Sequence, residues 1–206
     1  MITTAEALTA PLVLASANAE HEGPSVRLRD DDRAAVEACR RGESEAFDRL
    51  VERYQRHVYR LCYRYVNNHH DANDMAQEAF FKAYRALGRF RGDSSFSTWL
   101  YRIAVNTCLN FRAERRPEGS ELPDALADPS PGAADRLERD DQSRRVREAV
   151  SRLPEKQRAT LILKIYHDLT HEEVAQILGS SVGTVKANLF HALANLKRLL
   201  TAEGGE

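Results

Sequence analysis

Two small all-α domains joined by an acidic, flexible linker are what this sequence predicts, on three observations. Apolar residues recur at alternating spacings of three and four through most of the chain, no segment alternates with a strand's period of two, and charge falls into blocks. Residues 1–32 hold two basic against six acidic side chains, net −4, and residues 117–143 two against eight, net −6. The intervening 33–90 and 91–116 are each net +3, as is 144–206, so two basic, apolar-patterned modules are set apart by acidic segments. With 206 residues, 42% apolar and 30% charged, the chain can bury one modest core or two small ones. A large multidomain enzyme is excluded.

Residues 1–32 have no sustained period and read as a disordered acidic extension. Leu8 to Ala17 is apolar, but no Lys or Arg precedes Arg27, so the positive flank of a secretion signal is missing. No apolar run approaches the roughly 18 residues that span a bilayer. Cys39, Cys62 and Cys108 lie far apart without metal-ligand or disulfide spacing, which fits a reducing cytoplasm and calls for no metal or cofactor.

The first module, 33–116, contains three helical stripes. Phe47, Leu50, Val51, Tyr54, Val58, Leu61, Cys62 and Tyr65 form one face of a long helix, with Ser44 as its N-cap. After an Asn67-Asn68-His69-His70 turn, with Asp71 available as cap, Ala72, Met75, Ala76, Ala79, Phe80, Ala83 and Leu87 form the second. Phe96, Trp99, Leu100, Ile103, Ala104, Thr107, Cys108 and Phe111 form the third, which stops at Arg115-Arg116-Pro117. The linker, 117–143, is rich in Pro, Gly and acids and buries too little to offset its ordering entropy.

In the second module, 144–206, Val146, Val150 and Leu153 mark a short helix, and Pro154 suits the first turn of the next. Thr170-His171-Glu172-Glu173 is a capping box, Gly179 a left-handed terminator, and a last helix carries Val182, Val185, Leu189, Leu193, Leu196 and Leu200. A short helix, a Gly179-Ser180-Ser181 turn and a longer helix make a helix-turn-helix, whose second helix can enter a DNA major groove. Ser181, Thr184, Lys186, Asn188 and His191 are not needed for packing and are free to meet DNA. A helical hairpin used only for protein contact fits the same pattern.

The string from Phe90 to Asn106 interleaves aromatics with arginines. Aromatic faces stack on unpaired bases at about 1–3 kcal/mol per base while arginines hold the backbone, so single-stranded DNA is a candidate ligand. Core packing accounts equally well for Trp99, which shares the apolar stripe.

Asp74-Met75-Ala76-Gln77-Glu78-Ala79-Phe80, the Phe90–Asn106 string, and Leu153-Pro154-Glu155 leading to Val182-Gly183-Thr184-Val185-Lys186 resemble regions two and four of bacterial sigma factors of the extracytoplasmic-function (ECF) group, in the sigma-70 family. The likeness covers about residues 35–200. It implies a non-catalytic subunit that binds core RNA polymerase, at the β′ clamp and the β subunit, and directs promoter-specific initiation in the cytoplasm. By the resemblance Asp74, Gln77 and Glu78 meet the β′ clamp helices. Phe90, Ser94, Phe96, Trp99, Arg102, Ile103, Asn106 and Asn110 correspond to the minus-10 surface, which takes an extruded base. Ser181, Thr184, Lys186, Ala187, Asn188, Phe190 and His191 correspond to the minus-35 surface. Duplex and single-stranded promoter DNA and an anti-sigma factor are the further partners implied. Family members often carry arginines where this chain has Asn188 and His191, so adenine contact through Asn188 or shape readout stands level with direct guanine contact there.

A two-domain regulator is the nearer rival reading and an enzyme the more distant one. The regulator would bind an operator duplex without polymerase. An enzyme has no support from phosphate-loop, zinc-protease or nucleophile-elbow motifs, and His69-His70-Asp71 with Asp74 reads better as a helix junction than as a metal site.

Overall fold

The computed structural model describes residues 32–114 and 144–202. The expected linker, 117–143, and all of the acidic extension except Asp32 lie outside the described residues. Among the described residues the chain is helical and contains no strand. Its elements are α1 (Arg33–Arg40), α2 (Glu45–Val66), α3 (His69–Ala86) with a 3-10 turn at Leu87–Arg89, and α4 (Phe96–Glu114). Then come α5 (144–151), α6 (Glu155–Leu161) running on as a π-helical turn at Ile162–Tyr166, α7 (His171–Leu178) and α8 (Val182–Ala202).

Helix α2 buries Phe47, Leu50, Tyr54, Val58, Leu61, Cys62 and Tyr65, the face its spacing predicts. Ser44 does not cap it with its side chain: Ser44 is already in the helical region, and only its carbonyl accepts, from the Phe47 N–H at 3.0 Å. The α2–α3 junction is built by two asparagines instead of by Asp71. Asn67 takes the left-handed conformation that ends α2, and Asn68 is extended, its side-chain oxygen accepting from the Asp71 N–H at 3.0 Å. Asp71 therefore belongs to the first turn, where a carboxylate suits the positive end of the helix dipole.

Helix α3 turns Ala72, Ala76, Ala79, Phe80 and Ala83 inward. Its small side chains let α2 and α4 approach closely. Helix α4 is buried on two faces: Phe96, Leu100, Ala104 and Cys108 belong to the expected stripe, while Tyr101, Val105 and Thr98 are also 0–1% exposed. That second face is covered by the other module, whose Ile162, Leu163, Leu169, Val174 and Ile177 belong to the same apolar cluster. Burying such side chains contributes about 1.5–3 kcal/mol each, so the two modules share a substantial interface.

Polar contacts tie the modules as well. An Arg102 Nη2–H donates to the Gln176 carbonyl, the Arg64 guanidinium lies 4.1 Å from the Tyr166 ring centroid, and Tyr101 meets His167 edge-on at 5.5 Å. In the second module the capping box forms, with Thr170 Oγ1 accepting from the Glu173 N–H at 3.2 Å and Glu173 Oε2 accepting from the Thr170 N–H at 2.7 Å. Gly179, at φ +60, makes the left-handed turn into α8. Pro154 stands one residue before the first turn of α6, as its N-cap, and its carbonyl accepts from the Arg158 N–H at 2.9 Å.

Candidate nucleic-acid interface

Phe90, with φ −67 and ψ 113, is extended and ends the 3-10 turn, and Gly92, at φ +81, reverses the loop in a conformation open to glycine at little cost. Ser95 then starts α4: its Oγ accepts from the Thr98 N–H at 3.1 Å and lies 2.8 Å from the Thr98 hydroxyl. Between this loop and α1 lies a cavity of about 370 Å³, lined on one side by Phe90, Arg91, Gly92, Ser94, Ser95 and Phe96. The volume is in the range that holds small ligands.

Its floor is aromatic. Phe90 and Phe96 meet at right angles with centroids 6.2 Å apart, Trp99 lies 5.1 Å from Phe90 and 5.8 Å from Phe96, and Tyr54 lies 5.8 Å from Phe96. Phe90 is 9% and Phe96 3% exposed, whereas Trp99 and Ser94 are half-buried. Trp99 packs on the core cluster and stands beside the cavity's aromatics without lining the cavity itself.

Of the eight residues matched to minus-10 recognition, Phe90, Ser94 and Phe96 line the cavity. Ile103 is half-buried on the core. Arg102, Asn106 and Asn110 are exposed along one side of α4, four residues apart, away from the cavity walls.

Asp74, Gln77 and Glu78 stand together on the outer side of α3. Asp74 meets His70 Nδ1 at 3.1 Å and Glu78 meets Lys82 at 3.3 Å, so each acid has a side-chain partner one turn away. Phe81 and Tyr84, 44% and 37% exposed, continue this face, giving an acidic and aromatic patch that a basic, apolar helix would fit.

Helix α8 is the most open element. Ser181 Oγ accepts from the Thr184 N–H at 3.1 Å and lies 2.9 Å from the Thr184 hydroxyl, so these two side chains cap the helix as well as facing outward. Lys186, Ala187 and His191 are exposed, Asn188 is half-buried, and Phe190 is 71% exposed with His191 5.6 Å from its ring.

Sequence reading missed three features. Asp32, assigned to the extension, is 2% exposed. Helix α1 supplies the second wall of the cavity, yet its eight residues are too few to display a convincing period. On α2, Arg49, Arg53, Arg56, Arg60 and Arg64 recur at steps of four, three, four and four, a basic stripe that periodic counting could have found had cations been counted like apolar residues. Burial, and then the charges of Arg56 and Arg64, lower the Arg60 pKa from its ordinary value.

The family model described as Sigma-70 region 2 matches residues 50–118, and that described as Sigma-70, region 4 matches residues 143–196. The chain is 40% identical over 185 residues to the RNA polymerase sigma-H factor of Pseudomonas aeruginosa, covering 84% of this chain and 95% of that one. It is 42% identical over 172 residues to the ECF RNA polymerase sigma-E factor of Escherichia coli K12, covering 78% and 90%. Among solved structures, CnrH in complex with the cytosolic domain of CnrY superimposes with a TM-score of 0.65 at 28% identity, over 84% of this chain and 99% of that one. The sigma factor RpoE in complex with the anti-sigma factor NepR from Bartonella quintana, at 22% identity and a TM-score of 0.61, shares the fold over 75% of this chain and 96% of its own. Two modules in the order of regions two and four, with extensive identity to named members, place this chain in the sigma-70 family, as a sigma factor of the ECF group.

Proposed function

We propose that this sigma factor divides promoter recognition between its two modules, taking an extruded minus-10 base into the cavity between α1 and the Phe90–Phe96 loop while α8 reads minus-35 duplex. The observation that carries the reading is the cavity itself: an aromatic floor, hydroxyl-bearing Ser94 and Ser95 at one side, and open access. Extruding a base costs a few kcal/mol, and contact with the accessible edge of Phe90, which Phe96 supports from below, together with hydrogen bonds from the loop is what returns it. The face of α3 around Asp74, Gln77, Glu78 and Phe81 docks on core polymerase, and Lys186, Asn188 and His191 face the upstream groove. The protein works in the cytoplasm and leaves catalysis to the polymerase.

Control by an anti-sigma factor is the second part of the reading. The two modules are closed on each other, with Arg102 bound to the Gln176 carbonyl and Tyr101 covered. A partner that gripped both modules would hold this closed form, and core polymerase would open it.

The test is transcription in vitro with purified core polymerase. Promoter-specific transcripts and tight promoter binding only in the presence of core are expected. A duplex shifted equally well by the chain alone would instead indicate an operator-binding regulator.

A further inference from the structure

The wall of the cavity that faces the Phe90–Phe96 loop is made by Asp32, Arg33, Val36, Glu37 and Arg40. Arg33, Glu37 and Arg40 follow each other at four and three residues, so they share one side of α1, and all three are exposed. This spacing allows ion pairs within the helix, yet neither arginine pairs with Glu37 among the described residues. Both guanidinium groups are therefore available at the rim of a cavity whose floor is aromatic.

Asp32 fixes where this wall stands. Its carboxylate accepts from the Tyr54 hydroxyl on one oxygen and from Arg53 Nη1 at 2.5 Å on the other. The Tyr54 ring packs on Phe96, which packs on Phe90 and Trp99. One buried acid therefore links the start of α1 to the aromatic floor. Burial, and then the bond to Asp32, push the Tyr54 hydroxyl well above its ordinary pKa, so Tyr54 remains the donor in this pair. At 2% exposure, with each oxygen already accepting from α2, Asp32 is closed off from direct contact with a ligand.

We propose that α1 is the second wall of the nucleotide pocket: Arg33 and Arg40 hold the phosphates flanking the extruded deoxynucleotide, and Asp32 is the positioning residue that sets them there. The inference rests on the pocket reading given above. A flat ring for the aromatic floor and anionic phosphates for the two arginines are what a single-stranded nucleotide offers together.

The experiment uses the full chain bound to core polymerase and a single-stranded minus-10 oligonucleotide with 2-aminopurine at the extruded position. Affinity is measured across a salt series. The wild type should show the fluorescence change of a base leaving its stack, and Arg33→Ala and Arg40→Ala should each flatten the slope of log affinity against log salt by about 0.7. Base preference at the extruded position should be unchanged in both. Asp32→Asn should flatten the slope as the two arginine variants do together, and adding Arg40→Ala to it should cost nothing further, because a displaced wall no longer presents that cation. A merely structural Asp32 would give additive losses, which would overturn the positioning role. Unchanged slopes in the two arginine variants, with wild-type fluorescence intact, overturn the α1 wall and leave the pocket reading standing. Absence of the fluorescence change in the wild type removes the pocket reading and this inference with it. The arginine variants, being exposed substitutions, keep the test decisive even where Asp32→Asn folds poorly.

Discussion

Helices α2 and α8 are nearly the same length, 22 and 21 residues, but eight side chains of α2 are buried and only Val185 and Ala192 of α8. One is the spine of a core and the other a presented surface. The contrast follows the physics of each task. The proposed nucleotide pocket needs walls that do not yield, and its aromatic side is braced on this spine where Tyr54 packs on Phe96. A helix that enters a groove needs length and outward side chains, and only enough apolar contact to hold its angle.

The largest effect that separates the two helices is on stability. Phe47→Ala on α2, where Phe47 is fully buried, should lower the unfolding free energy by about 3–5 kcal/mol. Leu193→Ala on α8, at 48% exposure, should change it by no more than about 0.5 kcal/mol. Denaturant titrations of the two variants decide the matter, and similar losses would erase the distinction between spine and surface.

The reverse asymmetry should hold for DNA. Lys186→Ala, on the exposed side of α8, should weaken promoter binding by the holoenzyme by roughly 1–3 kcal/mol while leaving stability and core docking as they were. Footprinting titrations read this directly, and unchanged affinity would mean that α8 meets DNA by another side or not at all.

How much of this was legible in the sequence also differs between the two modules. The stripe of α2 was readable because burial there is one-sided and nearly complete, so every third or fourth position is apolar. On α8 the same counting chose Leu193 as an inward position, and it is exposed, because a lightly packed helix tolerates leucines that touch little. Tyr101 and Val105 of α4 could not be assigned to a face at all, since what covers them lies more than fifty residues away in the other module. Cap positions failed at Ser44 for a local reason, a backbone already helical, and succeeded at Thr170, where a partner acid three residues on fixes the geometry. Of the cavity, the aromatic loop was legible and the α1 wall was not: it depends on one carboxylate, Asp32, reaching Tyr54 across 22 residues of chain.

Two tyrosines of α2 sharpen the comparison within the spine itself. The Tyr54 hydroxyl donates to Asp32, whereas the Tyr65 hydroxyl is buried without a partner. Tyr54→Phe should cost about 1–2 kcal/mol, because it leaves a buried carboxylate oxygen unsatisfied, and Tyr65→Phe should be neutral or slightly stabilising. Paired denaturation curves would contradict this if the two variants lost equal stability.

The last contrast, visible only on acidification, lies where the spine meets the second module. His167 is half-buried, but its Nε2 is sealed off without a partner, and its ring edge meets Tyr101. Burial, then His57, Arg60 and Arg64 on α2, lower its pKa from the ordinary 6.5 to about 3. A histidine held neutral in this way leaves the unfolded chain with more bound protons below pH 6.5. Its contribution is therefore intact above 6.5 and is lost as pH falls from 6.5 toward 3. One proton bounds the slope at about 1.4 kcal/mol per pH unit, and partial exposure of the residue narrows the pH range over which that slope acts. His57, whose pKa is lowered by burial and then by Arg60 and Arg56, acts in the same direction, so His167→Phe should flatten the acid limb of stability without abolishing it. Phenylalanine keeps a ring against Tyr101 and removes the titration. An acid limb as steep in the variant as in the wild type would show that the contact between spine and second module is indifferent to charge at this position.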